Sequence, residues 1–140
     1  MRIPYDFAGV YDYIRRFRKT VHRFIQESFT PQQARWRDEH HPDAEAWTKA
    51  GATGMLLPDL PREYGRGGGS FAHEAVVWEE LARAGLHIGS RVQSIVARYL
   101  HSYGSAEPKH NWLPRMARGE VVGAVAMTEP VAGTRVRTRS

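Results

Sequence analysis

Apolar residues recur at intervals of three and four along most of the chain, and this spacing predicts a mainly helical protein. The clearest run covers residues 6–28, where an apolar stripe lies opposite a basic face. Its apolar positions are Phe7, Val10, Ile14, Phe17, Val21, Phe24 and Ile25. We interpret this run as a helix with one buried face. A helix lying on a membrane surface is the alternative, because the polar face is basic.

Five further helices are predicted, separated by residues that favour helix boundaries. Thr30 and Gln33 predict a capping box at the start of the second helix, and Gly51 is typical of the residue that follows a helix. Ser70 and Ser105 are suited to N-caps of later helices. The predicted helices cover residues 31 to about 39, 43–50, 71–84, about 88–103, and 105 to a turn at 119–120.

The same apolar positions predict which helix faces are buried. The fifth helix is apolar around much of its circumference over residues 94–100, so we expect it to be largely buried. The predicted shared face of the fourth helix consists of Phe71, Ala75, Trp78 and Ala82. The predicted inward positions of the last helix are Trp112, Leu113 and Met116.

The pattern changes at Val121–Thr134, where small and β-branched apolar residues predict a buried strand. The strand breaks at Thr128-Glu129-Pro130 and passes into a turn that contains Gly133. Such a turn brings several backbone N–H groups together, and a glycine without Cβ lets a ring or a phosphate approach closely. An ordinary strand followed by a loop is the alternative. A single strand also leaves its backbone groups unpaired, which predicts an incomplete β domain.

Composition indicates a globular chain. It has 140 residues, no cysteine and a net charge of +5, and three arginines lie in the last six residues. The absence of cysteine excludes disulfides and thiolate chemistry and fits a cytoplasmic location. We expect neither a membrane span nor a signal peptide. Nucleic-acid binding by the Arg-rich tail is a hypothesis with little support, because the net charge is small and comes partly from the three arginines of the tail.

Two other segments carry candidate chemistry. His40 and His41 could bind a metal, but adjacent histidines point in different directions and no third ligand is suitably spaced, so we predict no metal site. The glycine run at residues 65–69 could cradle a phosphate at the start of the following helix. It lacks both the P-loop signature and the dinucleotide-binding signature, and a plain loop is the alternative.

Taken in order, several short motifs resemble the N-terminal part of the acyl-CoA dehydrogenases, most closely the long-chain members. The matching stretches are Ala50-Gly51 with Gly54, Leu60–Gly65 with Gly67, Glu79–Arg83, Tyr103–Ser105 with Lys109, Trp112–Pro114, Gly119-Glu120 and Gly123–Gly133. The resemblance implies an N-terminal all-helical domain over residues 1–119 and, at residues 120–134, the first strand of the central β domain. Residues 135–140 form a divergent tail.

The resemblance also implies a function, FAD-dependent α,β-dehydrogenation of acyl-CoA thioesters. It further implies an electron-transfer flavoprotein-type acceptor and a homo-oligomeric complete enzyme. The implied cofactor-binding residues are Val125, Met127, Thr128, Gly133 and Thr134. The implied substrate-binding residues are Val92, Ile95 and Thr134, and plain core packing is the alternative for Val92 and Ile95.

The chain departs from the family pattern after Thr134, where Arg135 replaces the usual aspartate. The family's catalytic carboxylate comes from a C-terminal helical bundle, so no catalytic residue is assigned here. We therefore expect an N-terminal fragment that is inactive alone. A helical interaction module that pairs with a full-length dehydrogenase subunit is the alternative.

Overall fold

The computed structural model describes residues 7–126, with side chains from Tyr11 onward. Six α-helices occupy most of this range, as the hydrophobic spacing predicts. They are α1 (Phe7–Phe24), α2 (Gln33–Glu39), α3 (Ala44–Ala52), α4 (Phe71–Arg83), α5 (Ser90–Tyr103) and α6 (Ala106–Ala117). Short helical turns lie at Ile25–Phe29, Thr30–Gln32 and Arg62–Tyr64. None of the described helices combines the length and the apolar character needed to cross a membrane.

The apolar stripe predicted over residues 6–28 is confirmed within the described side chains, since Val21 and Ile25 are buried and Phe17 is half-buried. The predicted capping box after it is wrong. The chain continues through the π-helical turn and a 3₁₀ turn into α2, so Thr30 has no free helix start to cap. Its hydroxyl donates instead to the carbonyl of Ile25 (3.2 Å). The side-chain amide of Gln33 donates to the carbonyl of Gly85 (3.0 Å), beyond the end of α4.

Buried side chains form two apolar clusters. The first joins α1, α3 and α4 through residues such as Val21, Trp47 and Val77. The second lies under α5 and α6 and includes Leu60 and Leu113. Burial of this apolar surface supplies the main stabilisation of the helical assembly.

The face predicted for α4 is wrong. Phe71 is 56% exposed, and Val76, Val77 and Leu81 are buried instead. The reason is that α4 also buries charge toward α1. Oε1 of Glu80 accepts a hydrogen bond from Nη1 of Arg18 at 2.8 Å, in an ion pair that apolar periodicity does not reveal.

Two smaller predictions also need correction. Trp112 is 41% exposed, so only Leu113 and Met116 of the three predicted inward residues of α6 are buried. Gly51 does not end α3, which continues to Ala52. Gly51 is buried at a close crossing of two segments.

The strand predicted from Val121 is not formed over residues 121–126. A strand requires ladder hydrogen bonds to a neighbour, and residues 7–126 contain no other strand that could provide them. The rest of the predicted strand and the tail lie outside the described residues.

Candidate functional site

Helix α5 buries polar and small residues and exposes apolar ones. Its buried positions are Ser90, Gln93, Ser94 and Ala97. Its exposed apolar surface, which we call the α5 apolar face, consists of Val92, Ile95, Tyr99 and Tyr103. The prediction that this helix is largely buried is therefore wrong. The described part of the chain buries Gln93, Ser94 and Ala97 and half-buries Val96 and Leu100, but it leaves the α5 apolar face exposed.

The two predicted substrate-binding residues lie together on this face. Val92 is 40% exposed and Ile95, one helical turn further on, is 46% exposed. Neither belongs to the two buried clusters, so plain core packing within the described residues is not their role. Exposed branched apolar side chains at this spacing can contact an apolar ligand or another protein segment.

The segment that follows α6 lies against α5. The side-chain amide of Gln93 donates to the carbonyls of Met116 (3.1 Å) and Val121 (2.8 Å). Its oxygen accepts from the backbone N–H of Gly123 at 2.6 Å. A Cβ on Gly123 would lie 2.9 Å from Cγ1 of Val96. The chain therefore leaves the helices in close contact with α5 and α6.

Of the predicted cofactor-binding residues, the structure describes only Val125, which is 43% exposed at the end of this segment. That exposure leaves its side chain available to contact a ring. Met127, Thr128, Gly133 and Thr134, and the substrate-binding assignment of Thr134, lie outside the described residues.

A buried carboxyl, that of Glu74, is bonded to Arg98 of α5. Glu74 is 1% exposed, and its Oε2 accepts a hydrogen bond from Nη2 of Arg98. The same nitrogen donates to Oδ2 of Asp59 at 2.8 Å. Burial raises the pKa of Glu74, and the charge of Arg98 opposes the shift without cancelling it. Glu74, Arg98 and Asp59 thus form an ionic group beside the α5 apolar face. This group links α4, α5 and the loop that contains Asp59.

The glycine run is a loop that serves the fold. The N–H of Gly68 donates to the carbonyl of Leu60 and that of Gly69 to the carbonyl of Pro58. Because these amides already have backbone acceptors, the hypothesis of a phosphate cradle loses its support.

Arg66, in the same loop, was not singled out from the sequence. Its guanidinium donates to the carbonyls of Gly51 (2.9 Å), Leu56 (3.0 Å) and Ala117. Burial lowers its pKa, with a further contribution from the charge of Arg118. Carbonyls at the ends of α3 and α6 carry partial negative charge and stabilise the cation in place of a carboxylate.

Metal binding gains no support from the described side chains. Within residues 7–126, no three histidine, aspartate or glutamate side chains come together in an arrangement that could hold an ion.

Comparison with known proteins identifies the fold. The family model for the acyl-CoA dehydrogenase N-terminal domain matches residues 12–120. The crystal structure of acyl-CoA dehydrogenase from Geobacillus kaustophilus superposes with a TM-score of 0.81 at 33% identity. That superposition covers 87% of this chain and 33% of the other. A glutaryl-CoA dehydrogenase from Mycobacterium smegmatis in complex with FADH2 superposes with a TM-score of 0.76 at 28% identity over 86% of this chain and 32% of its own.

Curated relatives agree with the structural neighbours. The mitochondrial long-chain specific acyl-CoA dehydrogenase of Sus scrofa is 37% identical over 123 residues, covering 84% of this chain and 28% of that protein. The mitochondrial isovaleryl-CoA dehydrogenase of Pongo abelii is 32% identical and covers 96% of this chain and 33% of its own length. The described helices are thus an N-terminal helical domain of the dehydrogenase type. The chain belongs to the acyl-CoA dehydrogenase family, and it spans about a third of the length of these relatives.

Proposed function

We propose that this chain is the N-terminal segment of an enzyme that carries out FAD-dependent α,β-dehydrogenation of acyl-CoA thioesters. The observation that carries the proposal is the α5 apolar face, which lies beside the segment leading to Val125 in a domain of this family. The glutaryl-CoA dehydrogenase from Mycobacterium smegmatis was crystallised in complex with FADH2, which supports a flavin as the cofactor.

Each part of the site has a role in this proposal. Val92 and Ile95 contact the acyl chain and exclude water from it, which an exposed apolar pair can do. Val125 and Met127 pack against the flavin, and Thr128 offers its hydroxyl and N–H to the ring. Gly133 and Thr134 lie near the diphosphate and the CoA arm. When bound, FAD accepts the hydride from the β-carbon.

The partners of the complete enzyme belong to the same proposal. They are an acyl-CoA substrate, an electron-transfer flavoprotein-type acceptor and further copies of the subunit. The family resemblance assigns the catalytic carboxylate to a C-terminal helical bundle, so we expect the isolated 140-residue chain to be inactive. We keep the cytoplasmic location as a prediction, although two of the relatives are named as mitochondrial.

A chimera tests the proposal. Residues 11–126 replace the aligned segment of the Geobacillus kaustophilus dehydrogenase, which has the same helical domain. We expect the chimera to retain flavin absorbance and to reduce a dye when a long-chain acyl-CoA is added, and the isolated 140-residue chain to do neither.

The parent dehydrogenase is the control. A chimera with the helical content and melting behaviour of the parent but without flavin or activity would contradict the assignment of these surfaces. An isolated chain that purifies with stoichiometric flavin, bleached by acyl-CoA, would overturn the expected inactivity.

The interaction module remains the second candidate, because the α5 apolar face is also suited to contact a dehydrogenase subunit. It predicts that the isolated chain co-elutes with such a subunit without changing that subunit's flavin content.

A further inference from the structure

Gln93 is completely buried, with 0% of its surface exposed, on the helix that carries the α5 apolar face. A buried primary amide is costly unless its donors and its acceptor are bonded. Here both kinds of atom are used: the nitrogen donates to two carbonyls, and the oxygen accepts one N–H. Because Gln93 is not accessible to a ligand, its role is to hold the backbone segments that its side-chain amide contacts.

Two of its three partners have the spacing of a strand contact. The Gln93 amide donates to the carbonyl of Val121 and accepts from the N–H of Gly123, the residues on either side of Val122. In a parallel sheet, one residue of a neighbouring strand makes this same pair of bonds, because its own amide groups reach the residues before and after its partner. The side-chain amide thus replaces a neighbouring strand at the point where residues 121–126 have none.

A steric contact fixes the same segment. A Cβ on Gly123 would lie 2.9 Å from Cγ1 of Val96 and 3.2 Å from Cε of Met116. A larger residue would therefore require Val96 or the backbone of this segment to shift. The third bond of Gln93, to the carbonyl of Met116, connects the arrangement to the last turn of α6.

We infer that Gln93 is a positioning residue that sets the register of residues 121–123 and thereby places the following segment, with Val125, toward the cofactor. The placement toward a cofactor rests on the proposed function. The register itself does not, because it follows from the contacts of this chain alone.

Hydrogen exchange in the 140-residue chain tests the register. In the unsubstituted chain, we expect the side-chain amide protons of Gln93 to exchange much more slowly than those of Gln26, which is exposed on the π-helical turn. Equal exchange at the two side chains would overturn the inference without any substitution. This comparison also holds if every Gln93 variant fails to fold.

Substitution separates local positioning from general stability. Gln93→Met keeps the volume but removes the bonds, so the Gly123 amide should exchange at least about tenfold faster, as expected for the loss of a buried hydrogen bond. The amide of Leu113 in α6 should change much less, and Gln26→Met should change neither. If Gly123 and Leu113 accelerate by the same factor, Gln93 has only a general structural role and the inference is wrong.

The chimera tests the link to the cofactor. With Gln93→Met in the active chimera, we expect kcat to fall about tenfold while KM for acyl-CoA stays within about twofold, because Gln93 touches no substrate. An unchanged kcat would overturn the link. If the unsubstituted chimera is itself inactive, the proposed function fails, and the exchange measurements still decide whether Gln93 sets the register.

Discussion

At the scale of single residues, the groups that organise this domain are buried or half-buried polar side chains. Glu74, Gln93 and Arg66 each connect segments that are distant in sequence. Gln93 and Arg66 compensate their desolvation by hydrogen bonds to backbone groups, whereas the bond from Arg98 compensates that of Glu74 only in part. Such residues cost free energy unless their partners are in place, so they favour one arrangement of the helices over others.

Glu74 gives a prediction of pH dependence. Burial raises the pKa of Glu74 above its ordinary value of 4.5, so the folded chain binds a proton over a pH range in which the unfolded chain has released it. The free energy of unfolding therefore falls as the pH rises from about 4.5 through the raised pKa. The side chain introduced by Glu74→Gln does not titrate, so the free energy of unfolding of this variant should not show that decline with pH.

Urea denaturation of both proteins from about pH 4 to about pH 8 measures the effect. The expected result is a difference between variant and unsubstituted chain that grows with pH and then levels off. Glu45→Gln is the control, because Glu45 is exposed and its bridge to Lys49 joins neighbouring turns of α3. Parallel stability curves for Glu74→Gln and the unsubstituted chain would contradict the prediction.

At the scale of elements, the closest packing joins α3 to the end of α6. A Cβ on Gly51 would lie 2.2 Å from the carbonyl oxygen of Arg118, and one on Gly119 would lie 2.1 Å from that of Trp47. Gly119 also has a φ of +75°, a backbone conformation that residues other than glycine rarely adopt. Arg66 spans the same crossing through its bonds to Gly51 and Ala117. Two glycines and one arginine thus set the distance between these elements.

Substitution at this crossing should be costly. Gly51→Ala places its methyl group against backbone that cannot move aside, so we expect a loss of at least about 3 kcal/mol in the free energy of unfolding, at the upper end of overpacking effects. The matched control is Gly67→Ala, where a Cβ meets nothing within 4 Å and φ is unexceptional. It should change stability by no more than about 0.5 kcal/mol. Thermal and urea unfolding compare the two, and similar losses would refute the assignment of Gly51 as a packing glycine.

The existence of the helices could be predicted from the sequence, but their contacts could not. Spacing of apolar residues located all six helices to within a few residues, because local periodicity is a property of the segment itself. The capping role of Thr30 and the terminal role of Gly51 were wrong. In each case a contact outside the local motif decides the outcome, namely the continuous turn after α1 and the approach of Arg118.

At the scale of the whole molecule, helix α5 shows where prediction of buried faces from apolar spacing fails. Periodicity assumes that the apolar side of a helix is covered by its own chain, and here Gln93 and Ser94 are buried while Val92 and Ile95 are exposed. The motifs of the family assigned substrate-binding residues to this helix, and that assignment stays a prediction. They could not reveal the Gln93 contacts, since a single glutamine in an apolar run has no distinguishing spacing. Within the described residues, no segment covers this face.

The last prediction separates a ligand-contacting role of this face from a role in folding. Ile95→Gln removes apolar surface that is already 46% exposed, so the free energy of unfolding of the isolated chain should change by less than about 0.5 kcal/mol. Val77→Gln is the control in the same chain, because Val77 is 1% exposed and its loss should cost several times more.

In the active chimera, Ile95→Gln should raise KM for a long-chain acyl-CoA by roughly tenfold, the value of one buried branched side chain. KM for a short-chain acyl-CoA should change less, because fewer methylene groups reach the face. Equal destabilisation by the two substitutions would mean that Ile95 is a core residue after all, and an unchanged KM for both substrates would mean that the acyl chain lies elsewhere.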